Sequence, residues 1–341
     1  MRELQKRNID YNFVFSGQHQ ATIDDIRTEF GVKKPDHILY KGDDITGIFQ
    51  MLIWMFHILF SVWRNRKEVW KADKDGIVLN HGDTFSTLLG SFCAKICGLK
   101  NAHVESGLRS YDLLNPFPEE LTRRLTFLLT DVFLAPGDWA INNLTKYSGK
   151  KINTEYNTLI DALSASAEAI DSVTIDIPSY QYGIVSIHRF ENIFSKKRLL
   201  KIIQRLEEIS SKHKLLFILH KPTHKNLIKY GLYERLVNNP NIDIHPRYSY
   251  FEFIKLVKSA SLVVTDGGSN QEECFFLGKP CLIFRQATER QDGINHNAVL
   301  STFSRTTIDQ FIDNIEDYRK PPISPEKSPS AIIADNLTTY A

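Results

Sequence analysis

The sequence predicts an α/β protein made of two Rossmann-like, doubly wound domains. Three observations carry this reading. Short apolar runs typical of buried parallel strands, such as GIVLN at 76–80, YGIVSIH at 182–188 and SLVVTD at 261–266, alternate with amphipathic helical stretches. Each run ends in a polar or glycine-bearing turn, as strands feeding crossover helices do. The 341 residues exceed one comfortable core, and small, turn-forming residues at 164–179 divide the alternation in two. The boundaries follow: an N-terminal domain over 1–170, a C-terminal domain over 171–320, and a segment 321–341 that packs back on the first.

Taken in order, the pattern reads as a helix from Met1, a strand over Tyr11–Gly17, a loop, an apolar helix over Ile45–Trp63, and a strand over Gly76–Asn80. Thr84 and Ser86 then supply caps for a helix whose Leu88, Leu89, Phe92, Cys93 and Ile96 share one face, with Gly98 closing it. NAHV follows as a strand, completing a βαβ unit. Beyond Glu120 come an amphipathic helix, the strand DVFLAPG, and DWAINNLTKYSGKK as a helix. After the expected linker at 164–179 the rhythm restarts with YGIVSIH, a helix over 195–212, LLFILH, a helix after Pro222, NIDIHP, YFEFIKLVKSA, SLVVTD, SNQEECFFLG and PCLIFR. KPPISPEKSPS is a Pro/Ser turn before a last short helix.

Lys and Arg number 42 against 40 Asp and Glu, so no global field draws the chain to nucleic acid or to an anionic membrane. The expected partner is small. Cys93, Cys97, Cys274 and Cys281 sit in apolar runs without paired CxxC spacing, which favours reduced core cysteines over zinc or disulfides. The charged start MRELQKRNID lacks the apolar region of a secretory signal. These features together predict a cytoplasmic protein. Ile45–Trp63 carries no formal charge, yet Thr46, Gln50, His57 and Ser61 interrupt it; a helix covered by a sheet on one side and by a subunit or domain on the other explains it better than a membrane span. Homodimerisation is the corresponding expectation.

Ligands of open parallel sheets bind beyond the carboxyl ends of the strands. That rule selects Asp83, Glu105, His188, Arg189, His220, the turn Asp266–Ser269, and Arg285. In TDGGSNQEE, Gly267 and Gly268 let backbone N–H groups approach a ligand, and Ser269 opens a helix whose positive end suits a phosphate. Glu273, one turn in, suits the paired hydroxyls of a sugar, and Arg285 with Arg290 adds positive charge. In HVESGLRSYDLLNPFPEE, Glu105 ends its strand while two prolines deliver Glu119 and Glu120 to the first turn of a helix. Helix N-termini welcome acids, so simple capping explains Glu119 and Glu120 equally well. Drawn together beside a histidine, Asp83, Glu105 and Glu119 would supply a general acid and base.

The blocks HGDTFST, HVESGLRS, NPFPEELTRR, SIHRFEN, TDGGSNQEE, LGKP and RQATER, running in order to Arg290, resemble the non-hydrolysing UDP-N-acetylglucosamine 2-epimerase family. The resemblance implies a glycosyltransferase-B-like fold with the nucleotide held mainly by the second domain, and interconversion of UDP-GlcNAc and UDP-ManNAc: the carbon 2 proton is removed, UDP leaves to give a bound 2-acetamidoglucal, and UDP returns to the opposite configuration. It implies Asp83, Glu105 and Glu119 as acid/base carboxylates with His188 as their companion. Arg189, His220, Phe253, Gly268, Ser269, Glu273, Arg285 and Arg290 would line the UDP site, with no metal and no cofactor required. The family's opening strand and its Gly-Thr/Ala-Arg-Pro-Glu-like turn find no match, which predicts a first sheet lacking its central strand. Gly267 and Ser269, ERQD and EKSPS also depart from the family pattern, and a UDP-diacetamido sugar as substrate, a glycosyltransferase, or an inactive nucleotide-sugar-binding homologue are the alternatives these departures leave.

Overall fold

In the first of two units, Met1–Asp161 with Pro325–Ala341, strands β1 (Val14–Phe15) and β2 (His37–Ile38) pair in parallel as a small sheet of their own. Strands β3 (Ile77–His81), β4 (Lys100–Val104), β5 (Val132–Ala135) and β6 (Lys150–Asn153) form a second parallel sheet in that order. The computed structural model describes residues 1–17, 20–42, 48–112 and 118–338, and among these the two sheets share no ladder. Among the described residues β3 therefore stands at an edge of its sheet. β4 is nearly all buried and β5 wholly so, whereas β3 is less covered, with Leu79 40 % exposed.

One helical layer joins these pieces. The helix Phe85–Ile96 packs on β3 and β4, and the helix Ile48–Arg64 packs on it in turn, burying Trp54, Ile58, Val62, Leu89 and Cys93 together with Val14 and Leu39. Thr84 caps the former by accepting from Thr87 N. Trp54 Nε1 donates to the Ser16 carbonyl at 3.3 Å, anchoring the end of β1. Residues 45–47 of the expected Ile45–Trp63 helix lie outside the described residues. No helix among the described residues is long and apolar enough to cross a membrane. On the other side, Ile332, Ile333 and Leu337 of the helix Pro329–Leu337 pack on Ala102, Val104, Val132, Leu134 and Ile152.

The second unit, Ala162–Ser324, holds β7 (Tyr182–Ser186), β8 (Lys214–Leu219), β9 (Ile242–Pro246), β10 (Leu262–Thr265), β11 (Cys281–Ile283) and β12 (Ala298–Leu300). All are parallel, in the order β12-β11-β10-β7-β8-β9. Alternating side chains feed two cores: Val185, Phe217 and Val264 on one face, Ile184, Leu216 and Val263 on the other. The chain reverses its direction of travel between β7 and β10, so the crevice beyond their carboxyl ends is the topological switch point.

Three readings of the sequence are corrected. Residues 164–169 are not linker but the end of the helix Leu159–Ala169, since Ala and Ser are compatible with a helix whose Ile160 and Leu163 are buried. The helix expected over 138–151 stops at Asn143; Gly149, at φ +117°, turns the chain into β6, an edge strand whose two lysines masked its period. The loop expected before Ile45 contains the polar helix Gln20–Glu29 and the two-residue β2. The cysteines are free thiols, with Cys93, Cys274 and Cys281 buried.

Candidate active site

The acids of the first unit sit where β3, β4 and the helix Glu119–Leu128 end or begin. Glu105 follows β4 with φ +65°, a left-handed conformation that costs a non-glycine residue energy and concentrates at functional sites. Its Oε2 lies 3.6 Å from His81 Nε2. Asp83 follows β3, and its carboxylate accepts from Arg123 Nη2 while its carbonyl accepts from Thr122 Oγ1, which also lies 2.8 Å from the Glu119 carbonyl. One turn of one helix thus grips both Asp83 and Glu119. The turn at 113–117, expected to deliver that helix, lies outside the described residues.

Glu119 and Glu120, equivalent in the sequence, are separated by their surroundings. Glu120 is fully buried, accepting from Arg109 Nε, from Ser110 N at 3.0 Å and from Ser110 Oγ at 3.3 Å, with Arg123 Nη1 at 3.5 Å. It is a structural anchor. Glu119 is half-buried at the helix start and free of that clamp. Arg123, 2 % exposed, therefore bridges Asp83 and Glu120. Spacing alone did not select it, although Glu120 and Arg123 three apart on a helix is a pairing a sequence can show.

His103 is the second group missed. It is enclosed in β4, with Nε2 at 2.7 Å from the Gly82 carbonyl and Nδ1 at 2.9 Å from Ser106 Oγ, so it ties the turn before Asp83 to the residue after Glu105. Burial pushes its pKa down to about 4, outweighing the hydrogen bond to Gly82. A folded pKa below the ordinary 6.5 means that the unfolded chain takes up this proton first on acidification. The associated stability, on the order of 3 kcal/mol, is present above pH 6.5 and is lost as pH falls toward 4. Denaturant unfolding at pH 7.5 and 5 should show a smaller acid loss for His103→Asn than for wild type.

In the second unit the candidates gather at the switch point. Asp266, fully buried after β10, accepts from His188 N at 2.9 Å, Arg189 N at 3.0 Å and Asn192 Nδ2 at 2.8 Å, and Asn192 also donates to the Phe284 carbonyl. Asp266 and Asn192 together tie the ends of β7, β10 and β11. The helix Gly268–Leu277 starts there. A Cβ on Gly267 would stand 2.9 Å from His188 Cε1 and one on Gly268 2.8 Å from Arg290 Nε, so glycine lets the histidine ring and the guanidinium close on the helix start. His220 stands at the N-cap position of the helix Lys221–Lys229 without a capping hydrogen bond from its side chain; its ring centroid lies 4.6 Å from that of His188, and burial, with His188 and Arg247 nearby, pushes its pKa down to about 4.

The arginines carry less free charge than the sequence suggests. Arg189 and Arg285 both bind Glu289, at 3.1 and 2.8 Å, and Arg290 binds Glu272. The helix start with its exposed Ser269 offers an anion backbone N–H groups beside them. Glu273 is buried one turn in, and burial raises its pKa to about 7 against the donation from Asn270 and Tyr250. Phe253 lies in the helix Tyr250–Ser259 and packs, partly buried, on the core that includes Ile184 and Leu216. No group of His, Cys, Asp and Glu among the described residues could hold a metal ion.

Two α/β units with parallel sheets, one bearing acids at its strand ends and the other a glycine-opened helix at a switch point, define a glycosyltransferase-B-like nucleotide-sugar enzyme. The chain belongs to the UDP-N-acetylglucosamine 2-epimerase family, whose model matches residues 2–329. It is 32 % identical over 316 residues to UDP-N-acetylglucosamine 2-epimerase of Methanocaldococcus jannaschii, covering 87 % of this chain and 82 % of that one. The crystal structure of UDP-GlcNAc 2-epimerase from Neisseria meningitidis bound to UDP-GlcNAc superposes with a TM-score of 0.83 at 28 % identity, covering 99 % of this chain and 94 % of that one. The Methanocaldococcus jannaschii enzyme in complex with UDP-GlcNAc and UDP gives 0.80 at 28 % identity, covering 100 % and 94 %.

Proposed function

We propose that the protein epimerises carbon 2 of UDP-N-acetylglucosamine, yielding UDP-N-acetylmannosamine by elimination and re-addition of UDP for surface polysaccharide synthesis. The likeness to the neisserial enzyme bound to UDP-GlcNAc, extending over nearly the whole of both chains, carries this reading. Asp83, Glu105 and Glu119 of the first unit perform the proton transfers, with His188 beside the departing diphosphate. Arg189, His220, Phe253, Gly268, Ser269, Glu273, Arg285 and Arg290 of the second unit bind UDP. Incubation with UDP-GlcNAc in deuterated water, followed by NMR, should show UDP-ManNAc and deuterium at carbon 2. Incubation that yields neither product nor label would refute the reading, and product only from another UDP-hexosamine would replace the substrate.

We further propose a cytoplasmic homodimer. Four free thiols suit a reducing compartment. On the helix Ile48–Arg64, Ile53, Phe56, Phe60 and Trp63 form an exposed stripe opposite the buried Trp54, Ile58 and Val62, with Phe56 73 % exposed. The two helices successively packed beside it expose Phe92, Ile96, Leu121, Leu125 and Leu128. Large apolar side chains exposed on three successively packed helices suit an interface, and a twofold copy covers them with itself. Light scattering should give twice the 39.2 kDa chain mass, and Phe56→Glu with Trp63→Glu should give the single mass.

A further inference from the structure

We propose that His81 relays a proton between Glu105 and solvent and so resets the enzyme between turnovers; this rests on the reading of Glu105 as a proton-transferring group. Inversion at carbon 2 takes a proton from one face of the sugar and sets one on the other. Each turnover therefore leaves the base protonated and the acid deprotonated, and a proton must move before the next. The Glu105 side chain is only 8 % exposed, so water reaches it poorly, whereas the His81 side chain beside it is 57 % exposed.

His81 closes β3 with Nε2 3.6 Å from Glu105 Oε2 and 3.4 Å from Thr158 Oγ1, the latter holding the ring from the segment ahead of the helix Leu159–Ala169. An imidazole suits this position because it accepts at one nitrogen and donates at the other. The Glu105 O–H bond breaks as the His81 Nε2–H bond forms, while the Nδ1 proton passes to water, leaving a carboxylate, a neutral imidazole and hydronium. The reverse transfer recharges the carboxyl. The neighbouring histidine cannot substitute, since both nitrogens of buried His103 are committed to Gly82 and Ser106. Arg123, on the Asp83 side, does not release its proton.

The test compares first-turnover and steady-state rates with UDP-GlcNAc for wild type, His81→Ala and His81→Gln. The expected result is a first turnover close to wild type and a steady-state rate lower by roughly 10- to 100-fold, at or below the low end of the roughly 10²- to 10⁴-fold that a group transferring the proton in the chemical step itself contributes. Added imidazole should restore His81→Ala but not His81→Gln, whose amide fills the space. Thr158→Val, which keeps the histidine and removes only its contact, should lose less. Equal loss in both phases without imidazole rescue, or no loss at all, would overturn the relay while leaving the epimerase reading standing. An inactive wild type would remove both.

Discussion

Glu105→Gln is expected to lower epimerase turnover by roughly 10²- to 10⁴-fold, the range that a positioned general acid or base contributes, while UDP affinity stays at the wild-type level. The substitution keeps the shape of the side chain and the same left-handed backbone, at φ +65°, and removes only the capacity to take a proton. The groups proposed to bind UDP, from His188 to Arg290, belong to the other unit, where Asp266, Glu272 and Glu289 hold His188, Arg189, Arg285 and Arg290. Loss should therefore fall on kcat and on the exchange of deuterium into carbon 2, not on calorimetric binding of UDP. Exchange at the wild-type rate in Glu105→Gln would remove this residue from the chemistry. A parallel loss of UDP affinity would show instead that the substitution disturbs more than proton transfer.

The sequence exposes most of this architecture because parallel strands buried on both faces are nearly uninterrupted apolar runs, as β7, β8 and β10 are. Their polar ends are equally visible, so Asp83, Glu105, His188 and the Gly267–Gly268 turn are located without coordinates. Edge elements are less legible. β2 is two residues long and β6 begins with two lysines, so neither carries a period that distinguishes it from a loop or a helix end. The division of labour between Glu119 and Glu120 is also hidden, because adjacent acids read alike until Arg109, Ser110 and Arg123 are seen to converge on only one of them. Arginines at strand ends suggest a cationic phosphate site, yet partners distant in sequence, such as Glu289 for Arg189, decide how much of that charge is available.

Arg123→Leu should destabilise the first unit by about 3–5 kcal/mol, the cost typical of breaking a buried charge network by removing one member. Arg123 is 2 % exposed and bridges Asp83 to the fully buried Glu120. With leucine there, Glu120 keeps Arg109 and Ser110, but Asp83 loses its guanidinium and the helix start at Glu119 loses one of its two ties to the turn after β3. Stability and chemistry should therefore fall together, unlike in Glu105→Gln. Arg123→Lys separates charge from geometry: an ammonium retains the sign but cannot reach two carboxylates with a planar fork. It should recover part of the stability and little of the turnover. Denaturant unfolding followed by tryptophan fluorescence reads the first quantity, since Trp54, Trp63, Trp70 and Trp139 all lie in this unit. A change within roughly 0.5 kcal/mol, the scale of surface substitutions, would mean that the network is solvated in solution and does not hold Asp83 in place.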